Sequence, residues 1–222
     1  MPDMTNKSPD NLLNVVDLSK KYGQNKYVIS GFTASFTPGS ATGLMGPNGS
    51  GKTTFMRILS GAAFPTNGRV EYGDKDIHQG LHEYLKYVGI VGDASDLPQF
   101  LTAEELVEGI MRSRVLWNSG SVAYISELFD QLELDERRST LIGTYSSGMM
   151  QKTMIAAAIC AHPRVLLLDE PFRALDESAV DSVLKILNEF KKNGGMILIS
   201  SHQRTILESL CDRYIDFPVL IS

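Results

Sequence analysis

The run GPNGSGKTT at positions 46–54 constrains this chain more than any other stretch. Gly46, Gly51, Lys52 and Thr53 fit the pattern GxxxxGK[ST], which holds phosphates when a strand leads into it and a helix leaves it. Both flanks comply: ATGLM reads as a short strand, and KTTFMRILSG as a helix that stops at Gly61. The glycines let the backbone turn its amides inward, and the helix N-terminus adds partial positive charge, so the loop suits an anion. Lys52 is placed to bridge the β- and γ-phosphates of a nucleotide, and the Thr53 hydroxyl to ligate Mg2+. Pro47, Asn48, Gly49, Ser50 and Thr54 complete the loop. The chain must therefore be α/β.

A second stretch supplies the chemistry. VLLLDEP at 165–171 opens with four apolar residues, the pattern of a parallel strand covered on both faces. That strand delivers Asp169 to its end, where a carboxylate holds the hydration shell of Mg2+. The adjacent Glu170 is in position to orient and deprotonate a water in line with the γ-phosphate, a role worth ~10²–10⁴ in rate. Nothing nearby has the look of a pocket for a phosphoryl acceptor, so the residues favour hydrolysis over transfer.

The remaining segments fill in an architecture. NLLNVVDLSKKYG and VISGFTASFTPGS read as strands of an antiparallel layer ahead of the loop, and GRVEYGDK and LKYVGIVG as two more strands. From about 93 to 160 strand signal fades. Thr102 and Glu105 stand at capping-box spacing before LVEGIMRS, which predicts a helix. A second helix is expected with Val122, Ile125, Leu128, Phe129 and Leu132 on one face. Val180, Val183, Leu184, Leu187 and Phe190 form another stripe, ended by Gly194 and Gly195, before the buried strand MILISSH. Residues 1–222 are thus read as one domain: a loose polar tail (1–10), a nucleotide-binding core (11–92 and 161–222) and an inserted helical lobe (93–160).

Net charge is −5, so no basic field marks a nucleic-acid partner. No apolar run approaches the ~20 residues needed to cross a bilayer, and the start lacks a signal peptide's apolar core. A soluble, cytoplasmic chain is expected. Cys160 and Cys211 fit neither a disulfide framework nor a metal knuckle, and Cys160, among alanines, reads as a small buried hydrophobe. His78 and His82 have i, i+4 spacing but no third ligand, so they are expected to be an exposed pair. Met149 and Met150 read as packing residues.

The deciding segment is TYSSGMMQK at 144–152. Together with the phosphate loop, LLLDEP, ALDE at 174–177 and SSH at 200–202, it resembles the ATP-binding cassette family over about residues 11–217. The resemblance implies a P-loop NTPase core, mainly parallel, with an N-terminal antiparallel layer and the helical lobe as its signature subdomain. It also implies that two copies meet head to tail around two ATP molecules. Ser146 and Gly148 match the signature positions that touch the γ-phosphate across the interface. Tyr22 matches the aromatic that stacks on adenine, Asp176 the acid of the loop beside the partner's site, and His202 the histidine that holds the attacking water. Glu170, His202 and Lys52 would be the catalytic set.

Three departures stand out. The signature reads YSSGM where the family has LSGGQ. Asp93 falls where the family has a glutamine that ligates Mg2+, with Gln99 as the other candidate. The extra C-terminal regulatory domain of many importer subunits is expected to be missing. The implied function is the ATP-hydrolysing subunit of a transporter, peripheral on the cytoplasmic face of the membrane, driving separate permease subunits and leaning to export. A cassette ATPase that acts as a soluble switch without a permease is the alternative.

Overall fold

The computed structural model describes residues 12–23 and 26–219; the polar tail at 1–10 lies outside them. The chain runs β1 (Leu13–Tyr22), β2 (Lys26–Phe36), β3 (Ala41–Met45), α1 (Lys52–Leu59), β4 (Asn67–Tyr72), β5 (Lys75–Asp76), α2 (Leu81–Leu85) and β6 (Val88–Val91). It continues through α3 (Ala103–Ser113), α4 (Ser121–Gln131), α5 (Ser147–Ile159), β7 (Val165–Asp169), α6 (Glu177–Lys192), β8 (Met196–Ser200), α7 (Arg204–Leu210) and β9 (Arg213–Asp216).

Two sheets form. One has the order β2-β1-β4-β5 and antiparallel pairing. The other has the order β6-β7-β8-β3-β9, with every pair parallel. Side chains alternate across a strand, and the parallel sheet uses both of its faces. Leu166, Leu168, Ile197 and Ile199 enter one core with the helices of the lobe. Val165, Leu167, Met196 and Leu198 enter a second core with α1 and the antiparallel sheet. This explains why β7 and β8 read as unbroken apolar runs.

The lobe between β6 and β7 is helical, as expected, and α5 packs back on β6. Thr102 and Glu105 form the capping box that starts α3, the threonine hydroxyl accepting from the Glu105 amide at 3.1 Å. Three expectations are corrected. In α4 the buried stripe is Ser121, Ile125, Leu128 and Phe129, while Val122 is 62% exposed, because the packed face is centred one residue earlier at the helix start. The first half of LKYVGIVG is not strand: Leu85 closes α2, and β6 begins only at Val88. His78 precedes α2 and does not share a helical face with His82. Its side chain is mostly buried, stacked on Phe64 with Nε2 3.1 Å from the Ala63 carbonyl. Among the described residues, no group of three or more His, Cys, Asp or Glu could hold a metal. Cys160 is buried, and burial pushes its thiol up to about 12.

Candidate functional site

The phosphate loop joins β3 to α1 at the C-terminal edge of the parallel sheet. Gly51 supplies the helix start in a left-handed conformation, φ 109°, and contributes no side chain to cap α1. A Cβ there would lie 2.8 Å from Val28 Cγ1. Gly46, φ 137°, is equally confined: a Cβ would lie 2.5 Å from the Phe217 carbonyl oxygen. That carbonyl is fixed because the Phe217 amide donates to Met45 O at 2.7 Å, extending the chain beyond β9 alongside the loop. An uncapped helix N-terminus leaves amide protons directed at whatever enters the loop.

Lys52 is only 7% exposed. Its ammonium donates to the carbonyls of Gly46 (2.7 Å) and Pro47 (3.1 Å), so the loop wraps its own lysine. The Ser50 hydroxyl is buried in the same loop without a hydrogen-bond partner, a polar atom whose burial is costly unless something pairs with it.

Across the cleft, β7 ends at Asp169 and faces Ser200 of β8 in register. Glu170 follows in a left-handed conformation, φ 49°, uncommon for a residue bearing a side chain. His202 Nδ1 lies 3.0 Å from Glu170 Oε2, where its N–H donates to the carboxylate. The structure brings Tyr22, Asn48, Gly49, Gly51, Lys52, Thr53, Thr54, Asp169 and Glu170 together around one cleft of 330 Å³. Thr53 and Asp169 border it as hard oxygen donors, the pair that a magnesium ion takes beside phosphate oxygens and water. Tyr22 is 54% exposed at the edge of the cleft, with the Lys20 ammonium over its ring, 5.1 Å from the centroid.

A second cleft, of 290 Å³, is lined by Ser146, Ser147, Gly148, Met149, Lys152 and Asp176, and shares no residue with the first. Ser146 caps α5, its oxygen accepting the Met149 amide at 3.2 Å, which leaves its own O–H free to donate. Asp176 caps α6 through the Ala179 amide at 2.9 Å; that bond, then the Ser178 hydroxyl, holds its carboxyl below the usual range. Lys152 is tied to Glu133 at 2.9 Å.

Asp93 lines neither cleft. Its carboxylate accepts the Ser95 amide at 3.0 Å, capping the turn at 94–96, and that bond lowers its pKa. Gln99, the other candidate, is exposed, and its carbonyl accepts from the Gly143 amide. Three contributors escaped the sequence reading: Val28 behind Gly51, Phe217 behind Gly46, and Ser200 between the Asp169 carboxylate and the Glu170 main-chain amide. Only Ser200 left a local trace, as a polar residue closing the apolar run of β8.

Comparison with known proteins agrees with this geometry. The family model described as ABC transporter matches residues 29–173. The chain is 34% identical over 205 residues to an uncharacterized ABC transporter ATP-binding protein, YybJ, of Bacillus subtilis, covering 90% of each. It is 32% identical to the Nod factor export ATP-binding protein I of Burkholderia orbicola, covering 89% of this chain and 64% of that one. A solved structure of the ATP-binding subunit of an ABC transporter superposes with a TM-score of 0.86 at 29% identity, over 93% of this chain and 85% of that one. A phosphate loop, a paired Asp-Glu edge and a detached serine-glycine cleft in one α/β chain, together with these matches, show that the chain belongs to the ABC transporter family as an ATP-binding subunit and ATPase.

Proposed function

We propose that the chain is the motor subunit of a transporter, working as a pair of copies that close around two ATP molecules and drive separate permease subunits in the membrane. The observation that carries this reading is the division of the site residues between two clefts with no common member. A nucleotide seated on the phosphate loop meets Lys52, Thr53, Asp169 and Glu170 from its own copy. Ser146 and Gly148 face a triphosphate only when a second copy presents them. ATP then holds two surfaces together, and hydrolysis releases them: an association equilibrium biased by the ligand.

Within each site, Lys52 exchanges loop carbonyls for phosphate oxygens, and Glu170 takes the proton of the attacking water. His202 holds the Glu170 carboxylate and the water in line. Mg2+, held by Thr53 and Asp169, supplies charge neutralisation on the phosphates when bound. The unpaired Ser50 hydroxyl and the uncapped start of α1 support a phosphate in the loop. Among the described residues no helix is long and apolar enough to cross a membrane, and the path through the bilayer is assigned to the permease. The surface formed by residues 93–102, where Phe100 is 78% exposed, is assigned to a permease helix. An export direction is the reading kept, on the match to a Nod factor export protein at 32% identity; a phosphonates import protein matches at 29%. Affinity purification of the tagged chain from detergent-solubilised membranes should recover a multispan protein that raises its ATPase rate. Recovery with a ribosome or another water-soluble assembly alone would favour the permease-free switch instead.

Asp93 is assigned the place of the magnesium-side glutamine. To take that place Asp93 must first leave its cap on the Ser95 amide, since it borders neither cleft. Asp93→Gln, which weakens the cap and brings no negative charge to the phosphate, should keep or raise steady-state phosphate release. A complete loss of turnover would give the carboxylate a task of its own.

A further inference from the structure

We propose that Ser200 is a positioning residue for hydrolysis, its single hydroxyl setting the orientation of both Asp169 and Glu170; this rests on the roles given to those two residues above. Ser200 closes β8 after four apolar residues and is wholly buried. A buried hydroxyl is costly unless it is bonded, and here both of its functions are used. Its O–H donates to Asp169 Oδ1, and its oxygen accepts the Glu170 amide at 3.1 Å. The same amide donates to the Ser200 carbonyl, also at 3.1 Å, so Glu170 is gripped by main chain and side chain of one residue.

The geometry explains two features together. Asp169 has one oxygen anchored inside the sheet, which leaves the other for the cleft that it borders. Glu170 holds its left-handed backbone, φ 49°, a conformation that persists only where the surroundings impose it. The turn points its carboxylate at His202, 3.0 Å away. Alanine at position 200 would preserve the strand and its carbonyl but remove both hydroxyl bonds. Threonine would keep them and suits a strand.

The test uses the full chain and five readouts: kcat, KM for ATP, the Mg2+ concentration for half-maximal activity, calorimetric nucleotide affinity in EDTA, and melting temperature. Ser200→Ala should lower kcat by about tenfold or more and raise the Mg2+ requirement by about tenfold, the scale of one lost charge-assisted hydrogen bond. Nucleotide affinity in EDTA should stay unchanged, and Ser200→Thr should restore both parameters to within about threefold. Wild-type kcat and Mg2+ dependence in Ser200→Ala would overturn the proposal. So would a failure of threonine to rescue, or a loss that lowers the EDTA affinity and melting temperature in parallel, the mark of a merely structural serine. Activity retained in Glu170→Gln would instead remove the reading beneath it, and that variant is run alongside for this purpose.

Discussion

Glu170→Gln is expected to bind ATP, stall, and accumulate as a dimer. The amide has nearly the shape of the carboxylate and its oxygen can still accept from His202 Nδ1, now 3.0 Å from Oε2. The Ser200 bonds to the residue 170 amide involve only main chain on that side and are untouched. What disappears is the ability to take a proton from water, so turnover should fall by ~10²–10⁴. Binding should survive because Lys52, the loop glycines and Thr53 are unchanged. Since each ATP is taken to be completed by Ser146 and Gly148 of a second copy, blocked hydrolysis leaves the two copies glued. Size-exclusion chromatography with ATP should therefore show a dimer that ADP does not support. Monomer alone under saturating ATP would refute the shared site, and wild-type phosphate release would refute the base.

The parts of this arrangement legible in the sequence are those whose physics is local. The phosphate loop is a single stretch in which the glycines, Lys52 and the start of α1 do their work within a few residues. The capping box of α3 is similar, because Thr102 and Glu105 satisfy one another's amides. The apolar runs of β7 and β8 announce a sheet covered on both faces. Legibility fails where the outcome depends on contacts made elsewhere. Val122 carries an apolar residue at a plausible helical position, yet the lobe packs on the face that begins with Ser121. His78 and His82 share a spacing but not a helix, since α2 starts after His78. Phe217 lies far along the chain from Gly46, and only the pairing of β9 with β3 brings its carbonyl against the loop. The separation of Ser146 from Lys52 is a third case, implied by the family resemblance and not by the residues' own pattern. Motif order gives both residues, and the fold puts them on different clefts of one copy.

Lys52→Ala should act earlier in the cycle, on binding itself. In the structure the ammonium is 7% exposed and bonded to two loop carbonyls, at 2.7 and 3.1 Å. Those carbonyls draw the ammonium against the loop's inner surface, beside the cleft that it lines. A phosphate entering the loop offers it anionic oxygens instead, so each bond changes from an ion–dipole contact to an ion pair in a site screened from water. Alanine removes the charge and takes the ammonium donor from the Gly46 and Pro47 carbonyls, leaving Pro47 only the Ser50 amide at 3.2 Å, so the loop also loses part of its internal brace. The expected result is a loss of ATP affinity of about 100-fold, measured by titration calorimetry, in proportion to two such bonds. Lys52→Arg should not restore it, because the planar guanidinium replaces a compact point charge in a confined site. A thermal shift measured with and without ATP separates the two consequences. The variant's own melting temperature reports the brace, and its missing rise with ATP reports the phosphate contact through the ligand linkage. An unchanged affinity with a lowered melting temperature would make Lys52 a structural strut and pass the phosphate to the amides of α1 and the Ser50 hydroxyl alone.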